Sequence, residues 1–540
     1  MTTYRITPST SVHTTGFDDP AFNEDTAAAD ALIVDAGAFL VADGFDSAGA
    51  SLANTNAWRV TINGSIVSQN DRGIRLQDDN LETSTITVGV EGEVSGRVCG
   101  IAAGSSVTIV NRGTIAAATA GIEIGGGATH SITNSGRIEG TNAVLDESGV
   151  SADRVSNSGV MSGIVDLGGG NDVLNNSGEI SAPSFIDLPV LPVVELGRGR
   201  DTFTNTGTIR GGIDDQEGSA LLANSGLIVG NVQLGTDVDT FTNFRTVNGQ
   251  IVDGVVSGVI DLGDGDDVFR GGASSERVKD GNGADSITLG GGNDVYAALG
   301  HTGADGADRI DGGTGIDTYD ASDAQTNLYI NLDTLVHDMS PLAPGAGRVA
   351  ANTAAGSEVG GAGPDRITNF ENVLTGAGDD TIYGSSAANE MRGSGGVDTL
   401  FGYGGDDRLT GGAGSDDLIG GTGRDILTGG TEGDHFDFLS LSDSGVTSAT
   451  RDLVADFEDG LDHIELDVID AVAGTAANDA FTFIGSNVAF GGHAGELRAY
   501  FTAQGQIVEG DVNGDKAADF SVVLSDPGHG IVLTSQDFVL

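Results

Sequence analysis

Asp380, Asp398, Asp407, Asp416, Asp425 and Asp434 occupy one place in a nine-residue phrase, and Asn389 holds that place in one further unit. From Thr375 the chain reads TGAGDDTIY, GSSAANEMR, GSGGVDTLF, GYGGDDRLT, GGAGSDDLI, GGTGRDILT and GGTEGDHFD without slippage. Two positions past each acid stands a large apolar residue: Ile382, Met391, Leu400, Leu409, Leu418, Leu427 or Phe436. The glycine-rich half of each phrase must reverse sharply and visit positive φ, which glycine does without steric cost. The other half is a very short strand. Its apolar residue can be buried only once neighbouring rungs stack.

Stacked strands lie about 4.8 Å apart, so acids at a fixed corner form columns. If one turn of a two-sided coil uses two repeats, Asp380, Asp398, Asp416 and Asp434 line one edge, and Asp407 and Asp425 line the other. Two carboxylates about 5 Å apart repel by roughly 0.8 kcal/mol in bulk water and roughly 3 kcal/mol at an effective dielectric of about 20. Over a column this rivals the stability of a whole domain, about 5–15 kcal/mol. A hard divalent cation between the rungs removes the conflict. Calcium accepts carboxylates and backbone carbonyls in flexible geometry, whereas magnesium demands octahedral order and retained water. The expected ligands are these aspartates with the loop glycines Gly378, Gly396, Gly405, Gly414 and Gly423. Binding is expected to be weakest where Asn389 replaces the acid and where Ala387 and Glu432 replace the loop glycine.

An earlier block repeats the spacing through Asp267, Glu276, Asp285 and Asp294, with Phe269, Val278, Ile287 and Tyr296 two positions on. After an insertion around His301, Asp308 and Asp317 resume it. Asp267, Asp285, Asp294, Asp308 and Asp317 are therefore further candidate calcium ligands, in a shorter roll over 261–319. Residues 320–372, with Pro341 and Pro344, read as a β insertion before the second roll at 373–437.

These phrases resemble the RTX nonapeptide repeat, G-G-x-G-x-D-x-(apolar)-x. The resemblance implies a parallel β-roll loaded with several calcium ions. The segment that follows, including DFLSLSDS and RDLVADFEDGLDHIEL, resembles the C-terminal domain of serralysin-type proteins, so 438–540 is expected as a small β domain. That resemblance implies an uncleaved signal for type I secretion machinery, and the chain stops at QDFVL. The first thirty residues lack a basic stretch followed by an apolar core, so a Sec signal is not expected. DVNGDKAAD sets Asp511, Asn513, Asp515 and Asp519 at EF-hand-like offsets, but Val522 stands where the closing glutamate belongs.

The N-terminal half carries a second repeat: INGSI, VNRGTI, TNSGRI, SNSGVM, NNSGEI, TNTGTI and ANSGLI, with Asn63, Asn111, Asn134, Asn157, Asn176, Asn205 and Asn224. Steps of 19 to 29 residues suit coils of a parallel β-helix over 51–260. The motif resembles repeats of secreted adhesins and autotransporter passengers. LGxGxD-like corners place Asp172, Asp201, Asp239 and Asp267 in the same coils. Residues 1–50 lack the repeat and are expected to cap the first rung. The fold class is thus all-β: a right-handed parallel β-helix continuing into calcium-loaded β-rolls.

Seventy-nine acids against 24 basic residues give a net charge of −55, which disfavours nucleic acid and anionic membranes. No apolar run is long enough for a membrane span. The single cysteine, Cys99, excludes an intramolecular disulfide and reads as a small buried hydrophobe. The eight histidines never fall four apart, which excludes an H-E-x-x-H zinc helix, and His435, His463 and His493 read as surface or turn residues. No G-x-S-x-G elbow or Walker A loop occurs. The expectation is a non-catalytic secreted structural protein of a Gram-negative cell surface or matrix, adhesin- or S-layer-like, with self-assembly or a surface glycan as partner. The alternative is a polysaccharide-active enzyme, for which Arg72, Arg75, Arg97 and Lys279 are the candidate cationic groups.

Overall fold

A computed structural model describes all residues except 1, 15–19, 25–28, 45–47, 53–56, 77–82, 148, 184–191, 216, 299–305, 339–347, 357–362, 475–477, 504 and 526–529. His301, Pro341 and Pro344 lie outside the described residues. Among the described residues there are strands and no helix, in two compact units, Met1–Gly281 and Asn282–Leu540.

The first unit is a three-faced parallel β-helix. Its first face stacks Leu32, Val60, Ile86, Ile109, Ile132, Val155, Leu174, Phe203, Leu222, Phe241 and Phe269 in register, each almost fully buried. The second stacks Leu40, Ile66, Val94, Ile115, Ile138, Met161 and Ile180 in the same way. Alternation along each strand turns one residue in two inward, so each coil supplies one apolar layer to the core. Within residues 1–50, Thr2–Ile6 pairs with Ala29–Val34, and Val12–Thr14 with Phe39–Ala42. The ladder therefore begins before the first asparagine motif. A hairpin, Phe244–Val247 with Gln250–Asp253, leaves the coil through Asn248 and Gly249, both at positive φ as a two-residue turn requires.

The recurring asparagines occupy one buried corner. Asn111 Nδ2 donates to Asn134 Oδ1 at 2.8 Å, and the relation repeats from Asn134 to Asn157, to Asn176, to Asn205, to Asn224 and to Asn243. Asn63 does not belong to this column, contrary to the sequence grouping. The strand register aligns Ile62 and Val88 with Asn111, which puts Asn63 one residue past the corner. The phrase reads Asn-Gly at 63 but Asn-x-Gly at 111, and the one-residue offset moves the side chain to another face.

The second unit contains the two-sided roll. Ile382, Leu400, Leu418, Phe436, Ile464 and Phe538 stack on one sheet; Val373, Met391, Leu409, Leu427 and Val454 stack on the other. One turn is two nonapeptides, 18 residues, as in the pairing of Leu400 with Leu418. Leu328–Asn331, within the expected insertion, joins the first sheet beside Thr381–Tyr383. Beyond the repeats, Asp452–Val454 and His463–Glu465 add strands to both sheets. Phe520–Leu524 then lies on Asp452–Val454, and an antiparallel meander with Gly505–Asp511 and Glu496–Thr502 follows from it.

Candidate metal centre

In the roll each column aspartate carries out two tasks with its two oxygens. Its Oδ1 accepts the backbone N–H of the column residue one coil earlier: Asp380 N–H to Asp398, Asp398 to Asp416 and Asp416 to Asp434, at 2.8, 2.8 and 3.0 Å. The other edge runs from Asn389 to Asp407 at 2.7 Å and from Asp407 to Asp425 at 2.8 Å. This is the partition expected for two repeats per turn. The columns also outlast the repeats, since Asp425 N–H donates to Asp452 and Asp434 N–H to Asp462. Asp452 and Asp462 were missed in the sequence because they follow insertions that break the nine-residue spacing.

The second oxygen has no such partner. Oδ2 of Asp380, Asp398, Asp407, Asp416, Asp425 and Asp452 is buried and accepts no hydrogen bond. An anionic oxygen in that state is costly. Burial, with repulsion from neighbouring acids, pushes the carboxyl pKa to about 6 at Asp416, about 7 at Asp425 and about 8 at Asp398 and Asp407, despite the N–H bonds that oppose it. The donor set is hard, anionic and stacked, and it fits calcium.

The glycines keep this arrangement compact. A Cβ on Gly411 would lie 2.2 Å from Asp416 Oδ2, and Gly393, Gly402, Gly420 and Gly429 stand in the same relation to their own aspartates. At the loop position, Gly414 has φ of +133° and a Cβ there would come within 1.7 Å of Gly396 O. Gly396, Gly405 and Gly423 share the positive φ, whereas Gly378 does not. Glu432 adopts φ of +83° at that place, a conformation that suits glycine.

Asn389 shows what the column does without a second anionic oxygen. It donates its N–H to Asp407, but its Oδ1 accepts Ser385 N–H at 2.7 Å and its Nδ2 donates to Glu371 O at 2.7 Å. Asn389→Asp is expected to remove the amide bond, destabilise the calcium-free protein by about 1–2 kcal/mol and add one bound calcium. Native mass spectrometry and thermal melting of the chelated protein check both; an unchanged ion count would contradict the assignment.

The earlier candidates follow the same pattern in their own units. Asp285 N–H donates to Asp308 and Asp308 N–H to Asp365; Asp294 N–H donates to Asp317, and Asp317 N–H to Glu371. Asp267 Oδ1 accepts Asp239 N–H at 2.7 Å. Asp365 and Glu371 lie near the end of the expected insertion, where spacing alone does not reveal them. Glu276, grouped with the acids by spacing, receives Asn243 Nδ2 at 2.9 Å and so ends the asparagine column.

Other singled-out residues are engaged elsewhere. Asp511 accepts N–H groups of Gly514 and Lys516, and Asp519 that of Val512, so this turn is closed by its own backbone. His435 pairs with Glu465, and His493 is exposed beside Glu496. Cys99 is buried. Arg72 and Arg75 line a depression of about 380 Å³ with Glu123 and Glu147, and Arg72 is held by Asp71 and Glu123 at 3.2 and 3.1 Å. Lys279 pairs with Asp261 at 3.1 Å.

The profile of the RTX calcium-binding nonapeptide repeat matches residues 270–298, 302–319, 371–400, 392–427 and 401–436. These segments are RTX calcium-binding repeats. Calcium is the ion that these repeats bind. The comparison with curated proteins finds no match. Solved structures similar to this chain include the solution structure of the AlgE6R3 subunit of the Azotobacter vinelandii mannuronan C5-epimerase, 25% identical, over 31% of this chain and 78% of that one, with a TM-score of 0.17. The RTX segments include every column aspartate from Asp380 to Asp434, so the matched motif and the stacked carboxylates are the same residues. No helix among the described residues is long and apolar enough to cross a membrane.

Proposed function

We propose that this chain is a secreted calcium-binding structural protein of a Gram-negative cell surface or extracellular matrix, adhesin- or S-layer-like, which calcium folds after type I export. The ligands are the column aspartates Asp267, Asp285, Asp294, Asp308, Asp317, Asp380, Asp398, Asp407, Asp416, Asp425 and Asp434, with carbonyl oxygens of the glycine loops. The observation that carries this reading is the place of the carboxylates. They are buried inside the scaffold and stacked rung on rung, and in the second roll Oδ2 of Asp380, Asp398, Asp407, Asp416 and Asp425 accepts no hydrogen bond. A cation held among these buried carboxylates would join successive coils, which is a structural role.

In cytosol poor in calcium the columns repel themselves, and the chain stays open for export; in a millimolar-calcium exterior they close. Electron microscopy of the calcium-loaded full chain tests the structural role. Lattices or filaments are expected. Dispersed monomers that cleave a neutral glycan would overturn this reading in favour of a polysaccharide-active enzyme, with the depression at Arg72 and Arg75 as its first place to look.

A further inference from the structure

On the first face of the first unit, the two residues that flank each stacked core residue point outward. From the pair beside Val60 to the pair beside Phe241, none of these outward residues is aspartate or glutamate, in a chain of net charge −55. Arg59 and Arg154 are the charged ones, and threonine is the commonest type. Elsewhere on the unit the pattern differs. Glu93, Glu139 and Glu179 flank core residues of the second face, and Asp166, Glu195 and Asp214 stack on one another in successive coils. Acid is kept off one side of the solenoid.

That side carries a groove of about 240 Å³. Ser156, Asn175 and Thr204, stacked on successive rungs, form one wall; Ser158, Ser177 and Thr206, just past the asparagine corner, form the other. Thr133 extends the first wall by one rung. The groove thus follows the solenoid axis for about 14 Å at about 4.8 Å per rung. Ser158 and Ser177 donate their hydroxyls inward, to Asn134 O and Asn157 O, each at 3.2 Å. Their lone pairs are left for a donor in the groove. Among the described residues, the hydroxyls of Thr133, Ser156 and Thr204 and the amide of Asn175 make no hydrogen bond to the protein.

We propose that this groove binds a neutral polysaccharide, laid along the solenoid axis with its hydroxyls exchanging hydrogen bonds with both walls. The inference deepens the surface-protein reading above and rests on it for its setting. A polyanion is opposed by the charge of the whole chain, and Arg154 is the one cation among the outward residues of these rungs. An extended peptide or a second copy finds no strand edge here, because Arg154–Asn157 and Val173–Asn176 are each paired on both sides. Nor do hydroxyl and amide walls offer the apolar centre that a protein interface buries. A neutral chain rich in hydroxyls supplies donors and acceptors to these walls and brings no charge.

The test runs the calcium-loaded full chain through affinity gels of hydroxyethyl cellulose, xyloglucan or dextran, with polygalacturonate as the anionic control, and mixes it with insoluble cellulose and chitin. At least one neutral polymer is expected to retain it, and polygalacturonate to bind at least about tenfold more weakly. Asn175→Asp with Ser177→Asp, both at exposed positions, charges both walls and is expected to weaken retention by about tenfold or more. Thr87→Asp, on the same outward row but beyond the groove, is expected to leave retention within about twofold. Circular dichroism in calcium checks folding, and the uncharged Asn175→Ala, expected to weaken retention severalfold, keeps the test open if the acidic variant does not fold. Retention by none of the neutral polymers, equal binding of polygalacturonate, or equal losses in Thr87→Asp and the groove variants would overturn the proposal. Lattices without glycan retention would remove the groove and leave the surface-protein reading. Retention accompanied by shortening of the polymer would remove that reading and leave the groove.

Discussion

Calcium-free protein is expected to lose the 373–437 roll at neutral pH and to regain much of its β structure at about pH 5. The sign follows from the column carboxyls. Burial first, and neighbouring acids after it, raise their folded pKa above the ordinary carboxylate value: about 6 at Asp380 and Asp416, about 7 at Asp425 and Asp434, about 8 at Asp398 and Asp407. Without metal the folded state therefore holds protons that the unfolded state has released. Stability is fully present below about pH 4 and is lost as pH rises through 6 to 8. One pKa unit corresponds to about 1.4 kcal/mol, so a few such groups decide whether a domain with about 5–15 kcal/mol of stability exists at all. Calcium reverses the dependence because metal and proton compete for the same oxygens, and its midpoint concentration should fall as pH rises over that window. Far-UV circular dichroism of dialysed protein across pH, with and without millimolar calcium, measures this. Equal β content at neutral pH with and without calcium would contradict it.

Asn157→Ala is expected to be among the most damaging single substitutions in the first unit, at about 3 kcal/mol. Asn157 receives Asn134 Nδ2, gives its own Nδ2 to Asn176 Oδ1, and uses Oδ1 for Gly159 N–H, all in a buried corner. Truncation leaves groups of two neighbouring coils without partners where water does not reach. Asn63→Ala removes an asparagine from a phrase that looks similar but lies off the column, and it is expected to cost within about 0.5 kcal/mol. Thermal melting of both variants in saturating calcium makes the comparison. Similar losses would mean that the column does not carry the stability assigned to it.

The β-roll was legible because its period is strict. A nine-residue spacing with no slippage leaves one way to stack Ile382 on Leu400 and Asp398 on Asp416. The columns' continuation through Asp452 and Asp462 was not legible, because ladder register survives insertions that sequence spacing does not. The asparagine corner was half visible. Asn-x-Gly marked most of it, but Asn243 has no following glycine and Asn63 has one too early, and only strand register separates the two cases.

The asparagine column also has a polarity. Every side-chain amide from Asn111 to Asn224 points its N–H toward the following coil and its oxygen toward the preceding one, so the individual dipoles add instead of cancelling. Its donor end is Asn243 Nδ2, which meets the carboxylate of Glu276. The row thus behaves as a helix macrodipole laid along the solenoid axis, and the glutamate fills the role of an anion at a helix N-terminus. Coil order is thereby written into the direction of a field, and a strand paired the wrong way round would meet it with the opposite sign.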